Sequence, residues 1–130
     1  MIVELISFGF KYNSIPEANY LIDVRFLPNP FYVDELRSLT GLDKEVISFF
    51  EKDNSTSTQQ FILRLLDWLN YIIEVNKNAN KEKIIIAIGC TGGQHRSPYI
   101  LELISKNLKK NSQISKLAIC HKQLNKSEVQ

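Results

Sequence analysis

Apolar side chains fall along this chain in short blocks, and polar breaks separate them. Ile2 to Ser7 reads as a short strand rich in Ile, Val and Leu. It runs into a glycine-containing loop, Ser7-Phe8-Gly9-Phe10-Lys11-Tyr12. Tyr20 to Val24 is a second apolar run, and Pro28-Asn29-Pro30 then breaks regular structure. Asp43 is placed to cap a helix whose apolar side is Val46, Ile47 and Phe50. After a polar break from Asp53 to Thr58, a longer helix turns Phe61, Leu65, Trp68, Leu69 and Ile72 inward. Asp67, Asn70 and Glu74 take its other side.

Asn76 to Lys83 reads as a polar connection. Ile84 to Ile88 is continuously apolar, the pattern of a strand covered on both faces. The next helix runs from about Ser97 to Leu108, with Pro98 in its first turn and Ile100, Leu101, Ile104 and Leu108 inward. Ile114 to Ile119 is a last strand candidate. Strand, helix and strand over 84–119 predict a right-handed βαβ unit. The fold class is α/β: a small, mostly parallel sheet flanked by helices, with a glycine-rich loop between strand and helix. One domain spans 1–126, and 127–130 form a short polar tail.

A length of 130 residues suits a single domain with a real core. A hydrophobic fraction of 44% and a charged fraction of 23% argue against a disordered or fibrous chain. The net charge of +2 divides unevenly. Six lysines from Lys106 onward face one acid, Glu128, so a body at −3 carries an end at +5. Cys90 and Cys120 are too few for a disulfide scaffold, and the two histidines do not complete a zinc-site spacing. The chain starts without a basic signal-peptide region, and its longest apolar run is far too short for a membrane span. The expectation is a cytoplasmic protein without metal or cofactor.

Gly89 to Ser97 carries the chemistry. It lies between a buried strand and a helix start, where open α/β sheets bind ligands. Gly92 and Gly93 let backbone N–H groups approach an anion, and the helix end adds a positive dipole. Thr91, Gln94, His95, Arg96 and Ser97 supply donors, and Arg96 has the fork that grips a phosphate. The competing reading is a tight turn that merely needs two glycines. Lys11, Arg25 and Asn29 are further candidates for the same ligand, although Arg25 and Asp23 can equally pair on the surface. A second candidate surface is the basic end, where His121, Lys122 and Lys126 could meet a nucleic-acid backbone.

Cys90, Arg96 and Ser97 also have the Cys-x5-Arg-Ser/Thr spacing of cysteine phosphatases, with Asp23 or Asp34 as general acid. Gly89 stands where those enzymes usually have histidine, and a merely structural Cys90 is the competing reading. Trp68 and the pair Phe49-Phe50 read as core or interface residues.

The runs Ser7–Tyr12, Asp23–Pro30, Leu39–Asp43 and Gly89–Ser97 occur in this order in the C-terminal domain of RapZ/YvcJ proteins, which the chain resembles from Ile2 to about Lys126. In that family the domain follows a nucleotide-binding domain with a Walker motif. It self-associates, contributes to binding small regulatory RNAs that an adapter presents to an endoribonuclease, and senses glucosamine-6-phosphate. The resemblance therefore implies a non-catalytic sensor of a phosphorylated small metabolite, with Thr91, Gly92, His95 and Arg96 in its pocket. It also implies a homodimer, and as partners a small RNA, an endoribonuclease or a separate nucleotide-binding protein.

There are departures from the family pattern. No Gly-x4-Gly-Lys-Ser/Thr occurs in the chain, so nucleotide hydrolysis is not expected. Phe31 stands where the family has a pocket histidine, and Cys120 and Lys122 stand where it has arginines, which implies weaker RNA contacts.

Overall fold

A computed structural model describes residues 1–53 and 57–129. Its strands are β1 (Ile2–Gly9), β2 (Tyr20–Asp23), β3 (Lys83–Cys90), β4 (Lys116–His121) and β5 (Lys126–Val129). Its α-helices are α1 (Lys44–Glu51), α2 (Ser57–Asn78) and α3 (Arg96–Leu108). The sheet order is β2-β3-β1-β4-β5; the first four are parallel and β5 is antiparallel to β4. The fold is the α/β class that the pattern predicts.

Register explains which face is buried. Val3 pairs with Ile84 and Leu117, and Leu5 with Ile86 and Ile119, so six apolar side chains line one face at the centre of the sheet. All six are buried in one core with α2 and α3. The alternate positions Ile2, Glu4, Ile6, Ile85, Ala118 and Cys120 are only half-buried. The expectation that Ile84–Ile88 is covered on both faces holds at Ala87, which is fully buried on that second face, and fails only at Ile85, which is half-buried.

Along α2 the buried residues are Thr58, Ile62, Leu65, Leu69, Ile72, Ile73 and Asn76. Trp68, expected inward, lies at the margin of that stripe and keeps 42% of its surface exposed. Its ring stands edge-on to Tyr20 at 5.5 Å, beside the edge strand. The helix also continues past Asn76, where a connection was expected. Asn76 is tolerated inside because its amide donates to the Tyr20 hydroxyl at 2.9 Å and to the Ile72 carbonyl at 2.7 Å. Phe50 is fully buried and stacks on Tyr99 at 4.3 Å, while Phe49 is partly covered.

Asp43 begins α1 as expected, but its carboxylate turns back to accept from the Thr40 N–H at 2.7 Å instead of capping a helix amide. Residues 54–56 of the polar break at 53–58 lie outside the described residues. Across it, Thr58 Oγ1 donates to Asp53 at 2.9 Å. Residues 127–129 of the segment expected as a polar tail lie in β5, with Glu128 opposite Ile119 and Lys126 opposite His121, and residue 130 lies outside the described residues. The burial of β5 is slight, so no hydrophobic pattern announces it. Ile114 lies before β4 rather than in it. No helix among the described residues is long and apolar enough to cross a membrane.

Candidate functional site

The carboxyl ends of β1 and β3 lie side by side at the middle of the sheet, with Gly9 opposite Cys90. The chain leaving each end forms one wall of a cleft of about 290 Å³. Thr91, Gly92, Gln94, His95 and Arg96 lie on one side and Lys11 on the other, with Asn29, Phe31 and Tyr32 at its rim.

Two close approaches shape the loop. Gly93 has φ +67°, a left-handed conformation that glycine adopts without strain, and a Cβ there would sit 2.7 Å from the Gly9 nitrogen. Gly41 packs so tightly that a Cβ would collide with the His95 carbonyl. Its N–H donates to the Gln94 carbonyl at 2.9 Å. Gly92 is unconstrained, and Lys11 Nζ lies 3.9 Å from where its Cβ would be. The backbone N–H groups of Gly92, Gly93 and Gln94 make no hydrogen bond among the described residues.

Arg96 is the charged centre of the cleft. It is only 6% exposed. Its Nη1 donates to the carbonyls of Arg25 at 2.6 Å and Leu27 at 3.4 Å, and Nη2 to Thr91 Oγ1 at 3.3 Å. These neutral acceptors orient the guanidinium but do not cancel its charge, and it forms no ion pair among the described residues. Asp23 is near enough to feel its charge but is itself gripped by Arg25, so the buried cation is only partly compensated, and an anion in the cleft would stabilise it further.

The helix end contributes less than expected. The Ser97 N–H is spent on Cys90 Sγ at 3.5 Å, Pro98 has none, and the Tyr99 N–H goes to the His95 carbonyl at 3.1 Å. Ser97 itself is buried, with Oγ 3.2 Å from Cys90 Sγ and donating to the Phe8 carbonyl at 3.3 Å. It ties β1, β3 and α3 together and does not line the cleft. His95 does line it, but its ring Nε2–H donates to the Leu36 carbonyl at 3.0 Å. Burial, helped by the charge of Arg96, lowers its pKa against the pull of the Leu36 and Leu39 carbonyls. Gln94 gives its amide to the carbonyls of Arg37 at 2.8 Å and Leu39 at 2.7 Å, so it anchors the loop.

Arg25 takes the surface alternative. It grips Asp23 at 2.7 Å and lies 4.0 Å over the Phe10 ring, outside the cleft. The hydrogen bond from Arg25 holds the Asp23 carboxyl below its usual range, although burial works the other way. Asp34 pairs with Arg37 at 3.0 Å. Neither carboxylate suggested as a general acid lines the cleft, and Cys90 is a buried thiol in its wall.

The basic end is also rearranged. His121 is 2% exposed, so it cannot meet a nucleic-acid backbone. Its ring bridges Ser7 Oγ and Glu102 Oε1, each at 2.7 Å. The alternation that buries Leu117 and Ile119 buries His121 as well. Lys122 donates to Ser14 Oγ at 2.8 Å, while Lys126 is exposed. Two participants escaped the sequence reading. Gln123 accepts from the Gly9 N–H at 2.7 Å and braces the loop, and Tyr32 stands 80% exposed at the rim. Neither belongs to a recognisable spacing.

Fold and cleft define a small α/β domain with a glycine loop closed over the ends of its two central strands. The chain matches the family model described as the RapZ C-terminal domain over residues 1–125, and it belongs to that family. It is 47% identical over 109 residues to the nucleotide-binding protein YvcJ of Bacillus subtilis, covering 84% of this chain and 36% of that protein. It is 45% identical over 124 residues to the nucleotide-binding protein LBA0691 of Lactobacillus acidophilus, covering 95% of this chain and 41% of that one. The chain thus spans well under half the length of these relatives.

Proposed function

We propose that this domain is a non-catalytic binding module for a phosphorylated small metabolite of the sugar-phosphate type, held in the cleft between Lys11 and Arg96. The reading rests on Arg96: buried, oriented by two carbonyls, without an ion pair among the described residues, and lining a cleft with Gly92 and Gln94, whose backbone N–H groups make no hydrogen bond among the described residues. A phosphomonoester is a dianion near neutral pH, and the fork of Arg96 with the ammonium of Lys11 supplies two matching positive charges. Binding without turnover is favoured because neither Asp23 nor Asp34 lines the cleft as a proton donor.

A thermal-shift panel of inorganic phosphate, sugar phosphates and their unphosphorylated sugars tests this. A ligand at 100 times its Kd raises stability by roughly 2.7 kcal/mol. The expected result is a raised melting temperature for phosphorylated compounds alone, lost in Arg96→Ala. A panel in which no phosphorylated compound shifts the parent protein, or in which Arg96→Ala responds as the parent does, refutes the proposal.

A further inference from the structure

The rim of the cleft carries two exposed aromatic rings. Phe31 is 47% exposed and Tyr32 80% exposed, and both line the same cleft as Lys11 and Arg96. Their rings meet edge to face at 6.2 Å. One side of Phe31 is occupied by the Arg37 guanidinium at 4.9 Å. The neutral polar side chains at the cleft are partly engaged: Gln94 donates to two carbonyls, His95 to one, Asn29 Oδ1 accepts from the Phe31 N–H at 3.2 Å, and Thr91 Oγ1 accepts from Arg96. Among the described residues the Asn29 amide nitrogen and the Thr91 and Tyr32 hydroxyl protons have no acceptor, so a ribose and the edge of a base would both find partners, and the exposed rings of Phe31 and Tyr32 suit a flat heterocycle.

We infer that the cleft takes a nucleoside 5′-monophosphate, with its phosphate at Arg96 and Lys11 and its base against Tyr32 and Phe31. This rests on the proposed phosphate site and names the class of compound attached to the phosphate. One phosphate suits the site better than three. Two cations balance a dianion, and no aspartate or glutamate lines the cleft to hold the magnesium that usually accompanies a triphosphate.

Isothermal titration of the full chain with AMP, GMP, CMP and UMP, against ribose 5-phosphate, inorganic phosphate and adenosine, tests the inference. Stacking of a base on an aromatic ring predicts that at least one monophosphate binds about 5- to 150-fold more tightly than ribose 5-phosphate. Tyr32→Ala and Phe31→Ala should each erode that advantage, weakening the monophosphate more than ribose 5-phosphate. Both rings are exposed, and unchanged melting temperatures would show that the variants fold. Equal binding of ribose 5-phosphate and every monophosphate overturns this inference and leaves the phosphate site standing. Adenosine binding as tightly as AMP, or no binding by any phosphate compound, overturns both.

Discussion

Gly93 and Gly92 are neighbours in one loop, yet the structure assigns them opposite tolerances. Alanine at Gly93 must hold φ near +67°, which costs about 1–2 kcal/mol for a residue with a Cβ. Its Cβ would also lie 2.7 Å from the Gly9 nitrogen and 2.8 Å from Gln123 Oε1. Gly9 belongs to the central strand and cannot withdraw cheaply. Gln123 can move, but only by giving up its bond to the Gly9 N–H, which costs about 1–2 kcal/mol. Gly93→Ala should therefore destabilise by about 2–4 kcal/mol. At about 4 °C per kcal/mol for a domain this size, the melting temperature falls by roughly 8–16 °C. At Gly92 the nearest atom is Lys11 Cε at 3.8 Å and φ is unconstrained, so Gly92→Ala should stay within about 1 kcal/mol of the parent. Thermal unfolding followed by circular dichroism decides the matter. If the two variants melt together, the loop is not braced against Gly9 and Gln123 in the way described.

Further predictions rest on buried polar groups. The pKa of His95 is lowered in the fold, so the unfolded chain takes up that proton first. Stability should be full above the ordinary value of 6.5 and decline as pH falls through it, and His95→Gln should flatten this slope in melting curves from pH 8 to pH 5. His121→Ala would strand Ser7 Oγ and Glu102 and should cost roughly 2–4 kcal/mol in urea denaturation; a loss below about 0.5 kcal/mol would contradict the bridging role. Cys120 is half-buried and Cys90 buried, so a thiol reagent should modify Cys120 in the native protein and reach Cys90 only on unfolding, as a peptide map of the labelled chain would show.

Strong local patterns made much of the fold readable. Ile84–Ile88 before a glycine loop and Pro98 at a helix start identify β3 and α3 from neighbouring residues alone. What was hidden depends on distant partners. β5 is recognisable only as the strand opposite β4, because its side chains are exposed. Trp68 fits a helical stripe about as well as Ile73 does, and only the position of Tyr20 decides which faces inward. The same holds within the site. Arg96 and the two glycines are legible from spacing, whereas His121 was misread because a histidine beside lysines looks like a surface residue. Its buried partners are Ser7 and Glu102, 114 and 19 residues away. Ser97 fits the phosphate-loop pattern, yet its hydroxyl faces the Phe8 carbonyl and stays in the core.

Arg96 is a buried cation held ready for a phosphate. Titration of inorganic phosphate into the parent protein and into Arg96→Gln, with chloride at matched ionic strength as the control, puts this to the test. Saturable heat is expected with the parent and none with Arg96→Gln, provided the variant remains folded by circular dichroism. Equal binding by the two proteins, or none by the parent at millimolar phosphate, would contradict it.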